Sequence, residues 1–400
     1  MTPAGRTAAA IELLGLVLDG RRPADAVAND YFRARRFIGS SDRRTIAERV
    51  WRVLRTFRRL NWWLNDQPTS RLLVAASLLF DGGTLGDFSS ERFAPEPLLP
   101  SEKAALRRLE GRTLEHTSMP LAVRLEAPDW VLSRIPPGEL HALLETAPLD
   151  LRVNMLKATR DEARAALAAE GLEATPTPQS PWGLRIEGRR QVTSGPAFRD
   201  GLVEIQDEGS QLVAALVDAL PGMRVADMCA GAGGKTLALA MTMQNRGQLF
   251  ACDVSAARLD NAVRRLHRAG VHNVERHLLV PGDKWLKRRA GSFDRVLVDA
   301  PCSGTGTWRR NPDARLRLTE ADVGELLPKQ AGILDQAAAL VRKGGRLVYA
   351  TCSLLAEENE DQVAAFLSRH PEYAQKEVLS LSPARDNTDG FFAAVLAVHR

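Results

Sequence analysis

Residues 41–64 read SDRRTIAERVWRVLRTFRRLNWWL, and the apolar residues Ile46, Val50, Val53, Leu54, Phe57 and Leu64 recur there at helical spacing. Arg44, Arg52, Arg55 and Arg59 fall on the opposite side, with Asp42 as the expected N-cap. RLLVAASLLFDG (71–82) and EKAALRRLEG (102–111) continue the helical pattern, punctuated by Pro120, Pro136 and Pro137. The pattern predicts an all-helical domain over residues 1–145. It then changes: a short strand (151–155), a helix (159–170) and further short strands through residue 192 suggest a small α/β connector over 146–205.

From residue 206 onward strands and helices alternate, the signature of a doubly wound, mostly parallel sheet. Strands are expected at 224–229, 248–254, 274–280, 293–300 and 344–352, with helices at about 234–243, 256–269, 320–342 and 357–369. The terminal GFFAAVLAVHR (390–400) suggests a last, antiparallel strand. In such sheets ligands bind at the carboxyl ends of the strands, near the point where strand order reverses.

Composition adds modest limits. The 400 residues are 44% hydrophobic and 26% charged, as in ordinary globular chains. No apolar run approaches a membrane span, and the N-terminus lacks the pattern of a signal peptide. The four cysteines form no C-x-x-C pair and the seven histidines show no metal-ligand spacing, so neither a disulfide framework nor a metal is expected. A reducing cytoplasm fits this usage. The net charge of +5 is unevenly spread: ten arginines (33, 35, 36, 43, 44, 49, 52, 55, 58, 59) crowd residues 32–59. Such a concentration suits a phosphate backbone, or else a solvated helix face.

The first sheet strand runs into DMCAGAGGKT (227–236), whose Gly231, Gly233 and Gly234 would let a ligand approach the start of a helix. A P-loop needs glycine six residues before Lys235, where Cys229 stands, and a dinucleotide fingerprint needs glycine where Thr236 stands. S-adenosylmethionine remains, with Asp253 at the end of the next strand for its ribose. Asp283 after the third strand and Asp299 after the fourth add two carboxylates around the same pocket. The candidate cofactor positions are Cys229, Ala230, Gly231, Ala232, Gly233, Gly234, Lys235, Asp253, Arg258, Asp283 and Asp299.

Two thiols close neighbouring strands: Cys302 in DAPCSGTG and Cys352 in YATCS. A thiol at such a strand end could serve as a nucleophile in covalent catalysis. From the residues alone, either thiol could be the attacking one. DMCAGAGGKT, DVSAARLDNAVRRLHRAGVHNV, DAPCSGTGTWRRNPDARLRLT, KQAGILDQAAALVRKGGRLVYATCSLLAEENEDQV and DGFF stand in order over about 150–400. Together they resemble the Nop/Sun family of RNA cytosine-5 methyltransferases, the bacterial RsmB type in particular. The N-terminal helices resemble, more loosely, that type's NusB-like RNA-binding domain. One departure is that Gly231-Ala232 replace the family's usual alanine-proline.

The resemblance implies a class I methyltransferase fold, Rossmann-like with a seven-stranded sheet, and S-adenosylmethionine as methyl donor. It implies Cys352 as nucleophile, Cys302 as the group needed for elimination, and Asp299 at ring nitrogen 3. Arg309 and Arg310, just after the Cys302 turn, are expected to hold phosphates beside the base. Cys229 and Cys252 lie within strand patterns and read as buried small residues, and the acidic run 357–361 as a structural helix start. The expected substrate is ribosomal RNA, with tRNA as the alternative, for a chain acting as a monomer. An N-methyltransferase would carry NPPY or DPPY in place of DAPC. An inactive RNA-binding assembly factor would have lost a motif cysteine or Asp253. This chain fits neither pattern.

Overall fold

The computed structural model describes the chain except residues 21, 66, 67, 189, 399 and 400. The last two belong to the expected terminal strand and lie outside the described residues. The chain forms two units: Met1–Leu144 with Trp308–Leu318, and Glu145–Thr307 with Thr319–Arg400.

The first unit is helical. Leu13, Leu14, Ile46, Val50, Val53, Leu54, Leu73 and Val74 form its core, so the spacing that predicted the helices also buries them. The long helix Ser40–Arg55 has Gly39 as its N-cap, three residues before the expected one. Asp42 is therefore not its N-cap; its carboxylate instead takes the N-terminal ammonium (2.9 Å) and Arg6 (3.2 Å). The helix breaks at Thr56, and Phe57–Trp63 starts afresh. The buried Glu126 carboxylate accepts the amides of Arg58 (2.8 Å) and Arg59 (3.1 Å), two of the unpaired donors of that new first turn.

Trp308–Leu318 completes this unit. Asp313 accepts the amide of Ala24 at the start of helix Ala24–Ala34 (3.0 Å). Arg315 donates to the carbonyls of Leu143 (2.9 Å) and Trp308 (3.1 Å), and Arg55 to the carbonyl of Arg309 (2.6 Å). Trp308 and Arg315 are both buried.

The second unit holds two sheets. The smaller has the order β2-β3-β1-β4, all antiparallel: β1 (Leu149–Val153), β2 (Ala174–Pro176), β3 (Gly183–Ile186) and β4 (Val203–Ile205). The larger contains β5 (Arg224–Asp227), β6 (Gln248–Asp253), β7 (Val274–Leu278), β8 (Phe293–Asp299), β9 (Val341–Thr351), β10 (Tyr373–Leu381) and β11 (Phe391–Val398). Its order is β10-β11-β9-β8-β5-β6-β7; β11 pairs antiparallel with β9 and β10, and the other pairs are parallel.

Strand periodicity divides the core into two layers. On β8, Val296 and Val298 enter one layer and Leu297 the other; on β9, Leu347 and Tyr349 oppose Val348 and Ala350. Both faces are covered, which is why these strands are continuous apolar runs. Strand order reverses between β5 and β8, so the crevice expected to bind ligand opens beside Asp227 and Asp299. Among the described residues, no helix is long and apolar enough to cross a membrane.

Candidate active site

Strands β8 and β9 run in parallel with Asp299 opposite Ala350, so the turns that follow emerge side by side. This register brings together two residues fifty positions apart: Cys302 Sγ lies 3.5 Å from Cys352 Sγ. The Cys302 turn is fixed from beneath. The Gly306 amide donates to the Cys352 carbonyl (3.0 Å), and Gly390 of the DGFF segment donates to the Gly306 carbonyl (2.9 Å). A side chain on Gly306 would meet the Gly390 carbonyl oxygen at 2.3 Å, so only glycine fits there.

Asp299 ends β8, and its Oδ2 accepts from Lys235 Nζ at 2.7 Å. Burial works against the Lys235 ammonium, but the Asp299 carboxylate outweighs it and holds the lysine above its ordinary value. Asp227, at the end of β5, is pushed up to about 7 by burial, against the hydrogen bond from Thr236 (2.7 Å). The hydrogen bond with Cys352, then burial, then the charge of Cys352, hold Cys302 well above the ordinary thiol range. Cys252 is buried as expected, and burial raises both it and Cys229.

A cavity of about 480 Å³ adjoins this corner. Of the expected cofactor positions, Cys229, Asp253, Arg258 and Asp299 line it. Sequence reasoning missed its apolar wall, which includes Val254, Leu279, Val280, Pro281 and Ile333. Exposed valines at strand ends were the available signal, since Val254 and Val280 have no core to join.

Asp253 reaches back to the glycine loop: its Oδ2 accepts the Gly231 amide (2.9 Å) and its Oδ1 the Ser255 amide (2.8 Å). Gly231 sits at φ +54°, in the left-handed region. Two guanidinium groups hold the loop from outside. Arg265 donates to the Ala232 carbonyl (2.6 Å), and Arg152, lowered to about 10 by burial, donates to the Gly234 carbonyl (2.8 Å). The segment that lacks the expected proline is thus tied at two carbonyls. Ala230, Gly231, Ala232, Gly233, Gly234 and Lys235 form the loop and helix start and stand outside the cavity lining.

Asp283 differs from expectation. It caps the turn Lys284–Arg288 through the Trp285 amide (2.8 Å) and pairs with His277 Nε2 (2.6 Å), which together hold its carboxyl below the usual range. Both oxygens are engaged within the protein, and it is not among the cavity residues.

The helical unit sorts the ten arginines. Arg35 pairs with Glu12, Arg49 with Thr7 and Asp87, Arg52 with Asp81, and Arg59 with Glu126, while Arg55 is buried on the Arg309 carbonyl. Arg55 and Arg59 are therefore inward, not on the expected solvent side. Arg33, Arg36 and Arg43 line an open hollow with Asn29 and Phe32, and the neighbouring Phe37 is 77% exposed. The expected phosphate role of Arg309 meets an obstacle: its side chain is buried (3% exposed) within the helical unit, and Arg310 is half-buried.

Residues 214–397 match the family described as 16S rRNA methyltransferase RsmB/F, and residues 139–193 match the ferredoxin-like domain of RsmF/B-like methyltransferases. A protein of Synechocystis sp. called probable ribosomal RNA small subunit methyltransferase B is 34% identical over 311 residues, 71% of this chain and 69% of that protein. The crystal structure of PH0851 superposes with a TM-score of 0.80 at 26% identity, covering 99% of each chain. A methyltransferase homologue from Pyrococcus horikoshii gives 0.62 at 28%, covering 70% of this chain and 98% of that one.

Proposed function

Because the chain belongs to the RsmB/F family of ribosomal RNA methyltransferases, we propose that it methylates carbon 5 of a cytosine in ribosomal RNA through a covalent adduct with Cys352. It is an S-adenosylmethionine-dependent RNA methyltransferase. The observation that carries the proposal is the pair of thiols 3.5 Å apart beside Asp299, which itself lines the adjoining cavity.

The donor fits that cavity: Asp253 suits ribose hydroxyls, the loop ending in Gly233 faces a helix start, and Val254 and Leu279 offer an apolar wall. When bound there, S-adenosylmethionine supplies an electrophilic methyl group and leaves as a neutral thioether. The protein has to make carbon 5 of the base nucleophilic. Cys352, as thiolate, forms a bond to carbon 6, and the ring electrons move toward carbon 5 while Asp299, held by Lys235, addresses nitrogen 3. After methyl transfer carbon 5 carries both the new methyl group and its original hydrogen. A base must take that proton, the ring double bond reforms, and Cys352 leaves as thiolate.

Cys302 stands one thiol contact from Cys352, close enough to serve the carbon next to the one Cys352 attacks. The main cause that raises Cys302 is its interaction with Cys352. Both thiols must be reduced, which suits the cytoplasm, and one chain supplies the complete set, which suits a monomer.

The test is to incubate the protein with RNA and methyl donor and examine denaturing gels. Cys302→Ala should accumulate an RNA-linked band, and Cys352→Ala should give neither band nor methylation. An adduct formed by Cys352→Ala would overturn the assignment. Mapping the modified nucleotide then identifies the RNA.

A further inference from the structure

The acidic run at 357–361 read as a helix start, yet two of its residues turn inward. Glu358 is 0% exposed, and the donors bound to its carboxylate are neutral. Oε1 accepts the Ser303 amide (2.8 Å) and Gln330 Nε2 (2.9 Å), and Oε2 accepts the Ser303 hydroxyl. The same Gln330 nitrogen donates to the Pro301 carbonyl (3.0 Å). Glu358 and Gln330 therefore grip both neighbours of Cys302.

The next residue grips both neighbours of the other thiol. Asn359 Oδ1 accepts the Thr351 hydroxyl (2.5 Å), and its Nδ2 donates to the Ser353 carbonyl (3.0 Å). The two turns also touch directly, through the Ser303 and Ser353 hydroxyls at 3.1 Å. Every side chain in this brace is buried or half-buried, so water does not compete for its bonds. Tyr349 adds a bond to the Glu358 carbonyl (2.7 Å), which fixes the dipeptide itself.

We propose that Glu358 and Asn359 are positioning residues that act on different halves of the reaction, Glu358 through Cys302 on release and Asn359 through Cys352 on attack. The inference rests on the division of labour proposed above for the two thiols. Loss of the Glu358 carboxylate frees the turn that carries Cys302 while the Cys352 turn keeps its own ties. Loss of the Asn359 amide does the reverse. A merely structural role would weaken both steps alike.

The experiment compares wild type, Cys302→Ala, Glu358→Gln and Asn359→Asp with the same RNA and S-adenosylmethionine, reading adduct on denaturing gels, first-turnover methylation and steady-state rate. Glu358→Gln should accumulate adduct and lose about tenfold or more in steady-state rate, with first-turnover methylation within about twofold of wild type. Asn359→Asp should show no excess adduct and an equal slowing of first turnover and steady state. The same signature from both variants, or a slow first turnover without adduct from Glu358→Gln, overturns the proposal. If Cys302→Ala itself gives no adduct, the thiol assignment has failed; if it does and Glu358→Gln does not, only this inference has. Should either variant fail to fold by circular dichroism, Ser303→Ala and Thr351→Val each remove one hydroxyl bond to Glu358 or Asn359 from the other side, and the same outcomes apply.

Discussion

Lys235 Nζ and Asp299 Oδ2 stand 2.7 Å apart, joining the start of helix Gly234–Thr242 to the end of β8 across the strand-order reversal. The pair couples the glycine loop to the residue proposed above to address the base. Lys235→Met leaves the Asp299 carboxylate without its cation. The expected outcome is a fall in kcat of about 100-fold or more with little change in KM for RNA, since the interaction serves the reacting ring and not RNA docking. A change confined to KM would contradict this.

The Arg265 bond to the Ala232 carbonyl replaces some of the stiffness that proline would give the loop. Arg265→Ala should raise KM for the methyl donor by about tenfold, the value of one charge-assisted hydrogen bond, and leave the RNA KM within about twofold. Steady-state kinetics with each substrate varied in turn distinguishes this from general destabilisation.

Asp227 links stability to pH. Its folded value of about 7 exceeds its ordinary 3.8, so between those values the folded state binds more protons than the unfolded one. Stability should therefore decline as pH rises from about 4 to 7 and level off above, by at most about 4 kcal/mol from this group. Asp227→Asn, which keeps an acceptor for Thr236, should flatten that decline in denaturant titrations at successive pH values. An unchanged pH profile would show that Asp227 is ionised in the folded state throughout.

The hollow formed by Arg33, Arg36 and Arg43, with Phe37 exposed beside it, offers positive charge for phosphates and an aromatic face for a base. Arg36→Glu with Arg43→Glu should weaken RNA binding and lower the salt slope by ~0.7 for each phosphate that is no longer neutralised. Phe37→Ala should weaken binding without altering that slope. Fluorescence anisotropy at several salt concentrations reads both. Equal affinity for all three proteins would assign RNA binding to other surfaces.

The sheet and its strand-end residues were legible because each strand is an apolar run that closes on a chemically distinctive residue. Asp253, Asp299, Cys302 and Cys352 follow directly from that reading. Strand β10 was missed because it is an edge strand with mostly exposed side chains, and its sequence YAQKEVLSL carries no buried run. The burial of Glu358 and of Arg309 was not legible, for a common reason. A charged residue inside a charged stretch reads as solvated, and its burial depends on partners distant in sequence: Ser303 for Glu358, and for the Arg309 segment the Arg55 guanidinium. Strand-end position alone does not reveal that His277 and the Trp285 amide engage the Asp283 carboxylate.

The passage of Trp308–Leu318 through the helical unit sets an order of events during synthesis. The residues that satisfy the Ala24 amide and the Leu143 carbonyl are translated 289 and 172 positions after them, on the order of ten to sixty seconds later at ordinary elongation rates. Until then the N-terminal helices have no Leu316 packed against their core and no carboxylate at Ala24. That unit therefore matures only on a nascent chain whose Cys302 turn has already been made, and a chain cut short before it carries an unfinished N-terminal unit for chaperones and proteases to recognise.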